Sequence, residues 1–557
     1  MNRLVFLVAP LWAISVLSLW GCSGLRGDEV LSEKQLACES LSKMPNLTIT
    51  LAQLVEATEE TPEYCYVKGI IFPAIVYHVQ LPLPENWNDR LLNIGDGGKD
   101  GDLDFADHRL GEGYAVANSN MGHDNGTEPG ASFGFNNRQA EIDFGYRAVH
   151  LTANASKTVV DAYYGRDPEY SYFEGCSTGG REALMEAQRF PYDFDGIVAG
   201  APALFYQRAN ANHVWMLQRI FRNNLAGNLA YDKDGDGTPE SFTKLNLLSD
   251  TVLAKCDGVD GIIDGVIDDP LACDFKPEVD LADKMCPNNV NGDDCFTTAQ
   301  IQTIKDIYGG AHDSSGVLVY KGKPLGSEPG WASALFPHAG NSMSPARLGT
   351  PERPGTAGDH MNYLFYENDP GTTMPNFTDL SQIPNKTRQP PEYAWWEFNI
   401  DDVTNGKADL MISITEAKDP DLSRFLLKND GRLIIYHGWG DSLANPEPTF
   451  DYYEDVVART FNGDVDAALE KTRLFMVPGM GHCGRGPGPN AWDRLEPLVD
   501  WVENGNAPDA LVATHSTDGV VDNERPICPY PQRAVYTGPA GGENDPANWV
   551  ASNFTCR

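Results

Sequence analysis

The glycine-rich turn Gly175–Gly180 is the feature that most restricts how this chain can fold. It reads G-C-S-T-G-G, follows the strand-forming residues Tyr170–Glu174 and precedes the helix-forming stretch Arg181–Phe190. Small residues on both sides of Ser177 permit a sharp, strained turn that raises the serine hydroxyl above a sheet. The pattern therefore predicts a nucleophile elbow between a strand and a helix.

Strand and helix patterns alternate along the first and last parts of the chain. The predicted strands are Tyr66–Gln80, Arg90–Ile94, Tyr114–Asn118, Tyr170–Glu174, Gly196–Ala199, Arg432–Tyr436 and Thr472–Val477. A long amphipathic helix is predicted at Ala140–Tyr164. Such alternation indicates an α/β fold with a mainly parallel sheet that is covered by helices.

The alternation stops between residues 204 and 429, where Trp, Pro, Asn and Asp become frequent. An interruption of about 225 residues is too long for a loop. We therefore predict an α/β-hydrolase core, formed by residues 22–203 and 430–557, with residues 204–429 inserted as a folded lid domain.

The first 21 residues have the form of an export signal, with Arg3 before the apolar stretch Leu4–Trp20. The sequence L-W-G-C that ends at Cys22 is similar to a bacterial lipobox, which predicts lipidation of Cys22 and membrane contact only through that anchor. The alternative is a plain secretory signal. Both place the mature protein outside the cytoplasm, at the cell envelope or secreted.

Ten cysteines remain after Cys22, and an even number in an exported protein suggests five disulfides. Proximity along the chain favours four pairs: Cys38–Cys65, Cys256–Cys273, Cys286–Cys295 and Cys528–Cys556. Cys176 and Cys483 are then left to pair with each other, although sequence alone does not determine the connectivity. The alternative that Cys176 is itself a nucleophile is disfavoured in an oxidising compartment.

The charge balance excludes one class of function. The chain has 42 basic and 79 acidic side chains, a formal net charge of −37, and no basic stripe. A polyanion such as nucleic acid would be repelled. We predict no protein partner.

Asp441 and His482 complete a candidate catalytic triad with Ser177. Each directly follows a predicted strand, and the chain order serine, acid, histidine is that of an α/β-hydrolase. His482 would take the serine proton, and Asp441 would orient the imidazole. His437 lies near these residues in the sequence and is interpreted as structural.

Two backbone N–H groups are needed to stabilise the negative charge that develops on the substrate oxygen. The residue after the nucleophile, Thr178, supplies one. The loop Gly95–Gly98 is the candidate for the other, with Gly98 preferred and Gly97 second.

Seven segments give the chain a resemblance to the tannase and feruloyl esterase family over nearly its whole mature length. They are Leu83–Asn88, Gly95–Gly98, Asp143–His150, Phe173–Arg181, Phe190–Ile197, His437–Asp441 and Gly479–Cys483. The resemblance implies an α/β-hydrolase core, a large lid, hydrolysis of aromatic carboxylic esters, and a disulfide between Cys176 and Cys483. Asp96 departs from the family pattern, because this loop is usually richer in glycine.

An acidic loop in the lid is similar to the calcium site of the family. The candidate ligands are the carboxylates and carbonyls of Asp257, Asp260, Ile262, Asp264 and Val266. Hard oxygen ligands in a glycine-rich loop suit Ca²⁺, which we expect to be structural; no organic cofactor is expected. The alternative is a solvated acidic loop.

Two further acidic segments are weaker candidates. Asp232, Asp234 and Asp236 resemble the start of an EF-hand loop, but Thr243 stands where the bidentate Glu belongs, which favours an acidic turn. The run Asp100, Asp102 and Asp104 is interpreted as a solvated loop.

These features predict a serine esterase that forms an acyl-enzyme on Ser177 and acts on small aromatic esters of the feruloyl or tannin type. Three alternatives remain: a hydrolase of the mono(2-hydroxyethyl) terephthalate type, an acyltransferase, and a non-catalytic calcium-binding module. The aromatic lid residues available to contact substrate are Trp331, Trp395, Trp396 and Phe398, each more typical of a lid core.

Overall fold

The computed structural model describes residues 31–128, 130–236, 239–336, 356–370 and 397–557. The leader 1–21, Cys22, Trp395 and Trp396 lie outside the described residues. None of the helices in the described ranges combines the length and the apolarity that crossing a membrane requires.

A mixed sheet of nine strands forms the centre of the molecule, in the order β1-β2-β3-β5-β4-β6-β7-β10-β11. The strands of the described chain are β1 (Thr48–Val55), β2 (Tyr64–Ile71), β3 (Ile75–Pro82), β4 (Arg90–Ile94), β5 (Ala115–Ser119), β6 (Tyr170–Cys176), β7 (Gly196–Gly200), β8 (Ala311–His312), β9 (Leu318–Tyr320), β10 (Arg432–Gly438), β11 (Thr472–Val477), β12 (Leu511–Thr517), β13 (Val520–Ile527), β14 (Ala534–Tyr536) and β15 (Phe554–Cys556). The six strands from β5 to β11 in this order are parallel, whereas β1, β2, β3 and β5 pair antiparallel. The sheet is therefore mainly parallel, as predicted.

Helices cover both faces of this sheet. The helices of the described chain, including those of the inserted segment, are α1 (Glu33–Ser40), α2 (Asp107–Gly111), α3 (Arg138–Ile142), α4 (Ala148–Tyr164), α5 (Thr178–Arg189), α6 (Tyr206–Leu225), α7 (Thr243–Cys256), α8 (Pro277–Asp280), α9 (Thr298–Gly309), α10 (Trp331–Ala334), α11 (Thr356–Tyr363), α12 (Asp401–Thr404), α13 (Asp409–Thr415), α14 (Glu447–Thr460), α15 (Val465–Leu469) and α16 (Glu496–Asn504). In β7, Ile197 and Ala199 pack with α5 and α14, while Val198 packs with α16 on the other face. The α/β-hydrolase prediction is thereby confirmed for the fold class.

The first strands differ from the prediction. The apolar stretch Tyr66–Gln80 forms the hairpin β2–β3, not one strand. The sheet also begins with β1, which the sequence analysis missed. Because β1 is an edge strand with mostly exposed or half-buried side chains, it lacks the apolar pattern by which buried strands are recognised.

The predicted helix Ala140–Tyr164 is divided by a π-helical turn at Asp143–Arg147. The buried guanidinium of Arg181 donates to the carbonyl oxygens of Gly145 and Phe144 at 2.7 and 2.9 Å. These external donors satisfy carbonyls that a regular α-helix would pair internally, which accounts for the wider turn.

The inserted segment has a hydrophobic core of its own, built from buried residues between Ala211 and Ile412. Trp331 and Phe398 belong to this core and are 0% and 4% exposed. Farther along, Leu422, Phe425 and Leu426 pack with the central sheet instead. The chain therefore rejoins the hydrolase core before residue 429, where the sequence analysis set the boundary.

Candidate active site

Ser177 lies in a strained turn between β6 and α5. Its φ of 64° and ψ of −118° are unusual for a residue with a side chain, and such strain is typical of functional turns. Gly180, three residues after Ser177, leaves no room for a side chain, because a Cβ there would lie 2.2 Å from the carbonyl oxygen of Gly200. The backbone N–H of Ser177 donates to that same oxygen at 3.0 Å.

The structure brings the three predicted triad residues together. Nδ1 of His482 lies 2.7 Å from Oδ2 of Asp441, and its Nε2 lies 2.8 Å from Oγ of Ser177. Because a carboxylate only accepts, Nδ1 donates to Asp441, and Nε2 is left to accept the serine proton. This is the arrangement of a nucleophile, a base and an orienting acid.

Asp441 is fully buried and held by several donors. Its Oδ1 accepts the backbone N–H groups of Leu443 and Ala444 at 2.7 and 3.0 Å. Burial alone raises the pKa of Asp441, but the charges and hydrogen bonds of His482 and His437 outweigh it and lower the pKa below its usual range. The acid is therefore ionised when it orients His482.

The ten cysteines form the five predicted pairs. In the pair Cys176–Cys483, the two Cα atoms are 6.0 Å apart and the residues are separated by 307 positions in sequence. One partner precedes Ser177 and the other follows His482. This disulfide therefore joins the nucleophile turn directly to the loop that carries the base.

Thr178 and Gly98 face each other at the candidate oxyanion hole. The Thr178 hydroxyl donates to the Gly98 carbonyl at 2.9 Å, and Gly98 has a φ of 59°. The backbone N–H of Gly97 donates to Oδ1 of Asp96 at 2.8 Å. Within the described ranges, neither Thr178 nor Gly98 donates its backbone N–H to an acceptor. The geometry thus favours Gly98 over Gly97 as the second donor.

The surroundings of Asp96 and Asp100 are unexpected. Asp96 stands in a loop that is usually richer in glycine, and Asp100 was expected to lie in a solvated loop. Asp102 and Asp104 are exposed as expected, but Oδ1 of Asp100 is buried. Asp96 is 2% exposed, and its backbone N–H donates to Oε2 of the buried Glu182 at 3.1 Å. No motif indicated Glu182, because its burial depends on how α5 packs against the loop.

The predicted calcium loop folds around its own carboxylates. Asp257 accepts the backbone N–H groups of Asp264 and Gly265 at 3.2 and 3.0 Å. Asp260 and Asp264 accept those of Ile262 and Val266 at 3.0 and 3.1 Å. The loop is thus arranged by the same residues that the sequence analysis named.

The charges of this loop are incompletely balanced. Arg525 of β13 contacts Asp264 and also Asp268, the latter at 2.6 Å. Burial, the largest effect, raises the pKa of Asp260 to about 7 and that of Asp264 to about 6. Among the described residues, Asp257, Asp260 and Asp264 are not one of the groups whose ligand oxygens all lie within 4.8 Å of one another, so the calcium site stays a prediction.

The second acidic segment brings together Asp232, Asp234 and Glu240, whose carboxylate oxygens lie within 4.8 Å of one another. Asp236, which the sequence analysis grouped with the first two, is replaced here by Glu240. One further cluster, His150, Glu186 and Asp193, was not singled out by sequence. There His150 Nδ1 lies 2.5 Å from Asp193 Oδ2, and Lys157 donates to the Asp193 carbonyl, as in a structural ion cluster.

Comparison with known proteins places this geometry in context. A family model described as tannase and feruloyl esterase matches residues 61–556. The mono(2-hydroxyethyl) terephthalate hydrolase of Piscinibacter sakaiensis is 32% identical over 542 residues, which cover 88% of this chain and 85% of that protein. Feruloyl esterase B of Aspergillus niger is 30% identical over 491 residues, covering 84% and 82%.

Among solved structures, feruloyl esterase B of Aspergillus oryzae superposes with a TM-score of 0.74 at 24% identity, covering 94% of this chain and 100% of that one. At this level of identity the likeness concerns the fold. It agrees with the α/β-hydrolase fold described above.

Proposed function

The chain belongs to the tannase and feruloyl esterase family, and we propose that it is an exported serine esterase that hydrolyses aromatic carboxylic esters through an acyl-enzyme on Ser177. Ester hydrolysis follows from the family and from relatives with that activity. The observation that supports the serine mechanism is the continuous contact from Ser177 Oγ through His482 to Asp441.

The reaction has two halves. Ser177 Oγ attacks the ester carbonyl carbon while His482 Nε2 takes its proton; the alcohol then leaves with that proton as the carbon–oxygen bond breaks. In the second half, water attacks the acyl-enzyme and gives its proton to His482. The carboxylic acid leaves, and the proton returns to Ser177.

The developing oxyanion would be stabilised by the backbone N–H groups of Thr178 and Gly98. The two residues are held next to each other, because the Thr178 hydroxyl donates a hydrogen bond to the Gly98 carbonyl. Donors that are already oriented need no rearrangement as the charge develops.

A hydrolysis panel tests this proposal. Methyl ferulate, a gallate ester, chlorogenate and mono(2-hydroxyethyl) terephthalate are offered to the protein and to Ser177→Ala. We expect turnover of at least one ester by the wild type and a loss of about 10⁴-fold or more in kcat for the variant. Wild-type protein that cleaves no ester, or a variant that keeps its activity, would contradict the proposal.

The panel also separates the candidates for substrate. The similarity to a mono(2-hydroxyethyl) terephthalate hydrolase makes that ester the second candidate. Adding a competing alcohol and measuring acyl transfer against release of free acid distinguishes a hydrolase from an acyltransferase.

We further propose one structural Ca²⁺ in the lid, held by the carboxylates of Asp257, Asp260 and Asp264 with the carbonyls of Ile262 and Val266. A bound cation would balance the charge that Arg525 leaves uncompensated and would cross-link the loop. The pairing of Cys256 with Cys273 closes the same segment.

Export and lipid anchoring are also proposals. They are supported by the leader and by five disulfides, which persist in oxidising compartments. Expression of the full chain and of Cys22→Ala in a bacterial host tests the anchor: the wild type should fractionate with membranes and the variant should not. A wild type that is released in soluble form would favour the plain secretory signal.

A further inference from the structure

Three carboxyl groups lie directly behind the loop that carries Gly98. Asp96 belongs to the loop after β4, Asp100 follows a few residues later, and Glu182 lies in α5, about one helical turn after Ser177. Asp96 and Glu182 are each only 2% exposed. Two elements of the proposed oxyanion hole therefore meet at these side chains.

Hydrogen bonds connect these carboxyls to the loop backbone. Oε2 of Glu182 accepts the N–H of Asp96 at 3.1 Å, and Oδ1 of Asp96 accepts the N–H of Gly97 at 2.8 Å. The second bond engages the Gly97 N–H, which could otherwise donate to the substrate oxygen in place of the Gly98 N–H. Asp96 thus determines which amide of the loop stays available.

Each of the three carboxyls also has a buried oxygen without a hydrogen-bond partner among the described residues. These atoms are Asp96 Oδ2, Asp100 Oδ1 and Glu182 Oε1. A buried carboxylate without a donor or a cation is costly, so such oxygens are expected to bind a proton.

The basic groups around the cluster are engaged elsewhere. Lys99 pairs with Asp359 at 3.3 Å, and Arg181, the neighbour of Glu182, donates to main-chain carbonyls behind α5. On β6, Glu174 faces Arg109 at 3.7 Å.

The remaining titratable groups do not supply a positive charge to Asp96 either. His123 places Nε2 3.2 Å from the carbonyl of Lys99. Asp102 and Asp104, the other charged groups beside Asp100, are acidic.

Burial has the largest effect on the pKa of each of these carboxyls, although the charge of Arg181 lowers the pKa of Glu182 and the N–H of Gly97 lowers that of Asp96. Burial, followed by the charges of Asp100 and Glu182, raises the pKa of Asp96. Burial also raises the pKa of Asp100, and that of Glu182 to about 7. Oδ2 of Asp100 lies near the same backbone, 3.7 Å from the position that a Cβ on Gly97 would take, so ionised forms of Asp96 and Asp100 would repel each other.

We propose that Asp96 is a positioning residue of the oxyanion hole: as a neutral acid, it engages the N–H of Gly97 and leaves the Gly98 N–H for the substrate oxygen. This inference rests on the proposed function. Loss of the Asp96 proton would place negative charge behind the atoms where negative charge develops, and the carboxylates of Asp96 and Asp100 would repel each other. Turnover should therefore decline when the pair ionises at alkaline pH.

The test is a pH profile of kcat and KM from pH 6 to 10 on an ester that the wild type cleaves. Asparagine cannot ionise, but it keeps an acceptor for Gly97 and a donor for Asp100. We expect Asp96→Asn to shift the alkaline decline of kcat upward by about one pH unit, or to remove it. Asp96→Ala, which lacks both groups, should lower kcat by about tenfold or more with little effect on KM.

Asp102→Asn is the matched control, because it removes the same charge from an exposed neighbour and should leave the profile unchanged. An alkaline decline that is identical in wild type and Asp96→Asn overturns the proposal. A shift of equal size in Asp102→Asn also overturns it, since the effect would then be one of net charge.

Thermal unfolding separates this proposal from the proposed function. A carboxyl with a raised folded pKa costs stability as pH rises above its unfolded value of about 3.9, and the cost grows until the folded pKa is passed. The Tm of Asp96→Asn should exceed that of the wild type by a margin that increases with pH. A margin independent of pH contradicts a neutral Asp96, whereas a wild type that cleaves no ester overturns the proposed function and the positioning role with it.

Discussion

His437 contacts the same oxygen of Asp441 as His482, the proposed catalytic base. Its Nε2 lies 3.1 Å from Asp441 Oδ2, while Nδ1 of His482 lies 2.7 Å from that atom. His437 is itself fixed, because its Nδ1 lies 2.9 Å from the hydroxyl of Thr449. The acid of the triad is thus held between two imidazoles, and a residue interpreted from sequence as structural supports the site.

Replacing His437 should reduce turnover without abolishing it. A single hydrogen bond contributes about 1 kcal/mol, so His437→Gln should lower kcat by about fivefold with KM little changed. Steady-state kinetics on the best ester of the panel measures this. His312→Gln, at an exposed lid position, is the control, and a His437→Gln variant with wild-type kcat would show that Asp441 needs no second histidine.

Asp441→Asn should lower kcat by about 10⁴-fold, because the amide can no longer accept from His482 Nδ1 as a charged group. The stability effect depends on pH. Since the folded pKa of Asp441 is lowered, its ionised form contributes stability above the unfolded pKa of about 3.9, and this contribution is lost as pH falls through the folded value. Urea midpoints should therefore favour the wild type from pH 5 to 7 and converge with the variant at lower pH. A difference that persists undiminished in acid would exclude ionisation as its cause.

The disulfide Cys176–Cys483 should matter for both stability and catalysis. Replacing both residues with serine removes a cross-link over a long loop, which we expect to cost about 2–5 kcal/mol of unfolding free energy. It also releases the turns of Ser177 and His482 from each other, so kcat should fall as well. The double serine variant of Cys286 and Cys295, which lie nine residues apart in the lid, should lose less stability and keep its kcat. Equal kinetic effects of the two changes would argue against a specific role at the active site.

Chelation of calcium should lower the Tm but spare the chemistry of protein that stays folded. A ligand present at 100 times its Kd stabilises the folded state by about 2.7 kcal/mol, so readdition of Ca²⁺ after EDTA should restore the Tm in a concentration-dependent way. Asp257→Asn should make the Tm insensitive to both treatments, whereas Asp232→Asn should preserve the response. Should chelation leave the melting transition of the wild type unchanged, the assignment of the Asp257–Val266 loop would be wrong.

The fold could be predicted where the pattern is local and strong. Parallel strands such as Arg432–Gly438 are buried on both faces and read as continuous apolar runs, so the sequence analysis found them. The edge strand Thr48–Val55 was missed, since partial exposure weakens the apolar pattern. The division of Tyr66–Gln80 into a hairpin was missed because apolar residues continue through the turn at residues 72–74. Family membership, expected from the motifs, is confirmed by the match over residues 61–556.

The sequence by itself determined the identities of Ser177, Asp441 and His482, their positions just after strands, and the small residues that shape the nucleophile turn. These are properties of neighbouring residues, which short-range sterics can encode. Only the tertiary structure brought His482 to within 2.8 Å of Ser177 across 305 positions. It also decided that Asp100 is partly buried beside Asp96, because burial and electrostatic environment depend on elements distant in the chain. The turn at Gly175–Gly180 therefore predicted where the proposed reaction takes place, and the packing of α5 against the Gly98 loop determined which amides and carboxyls surround that turn.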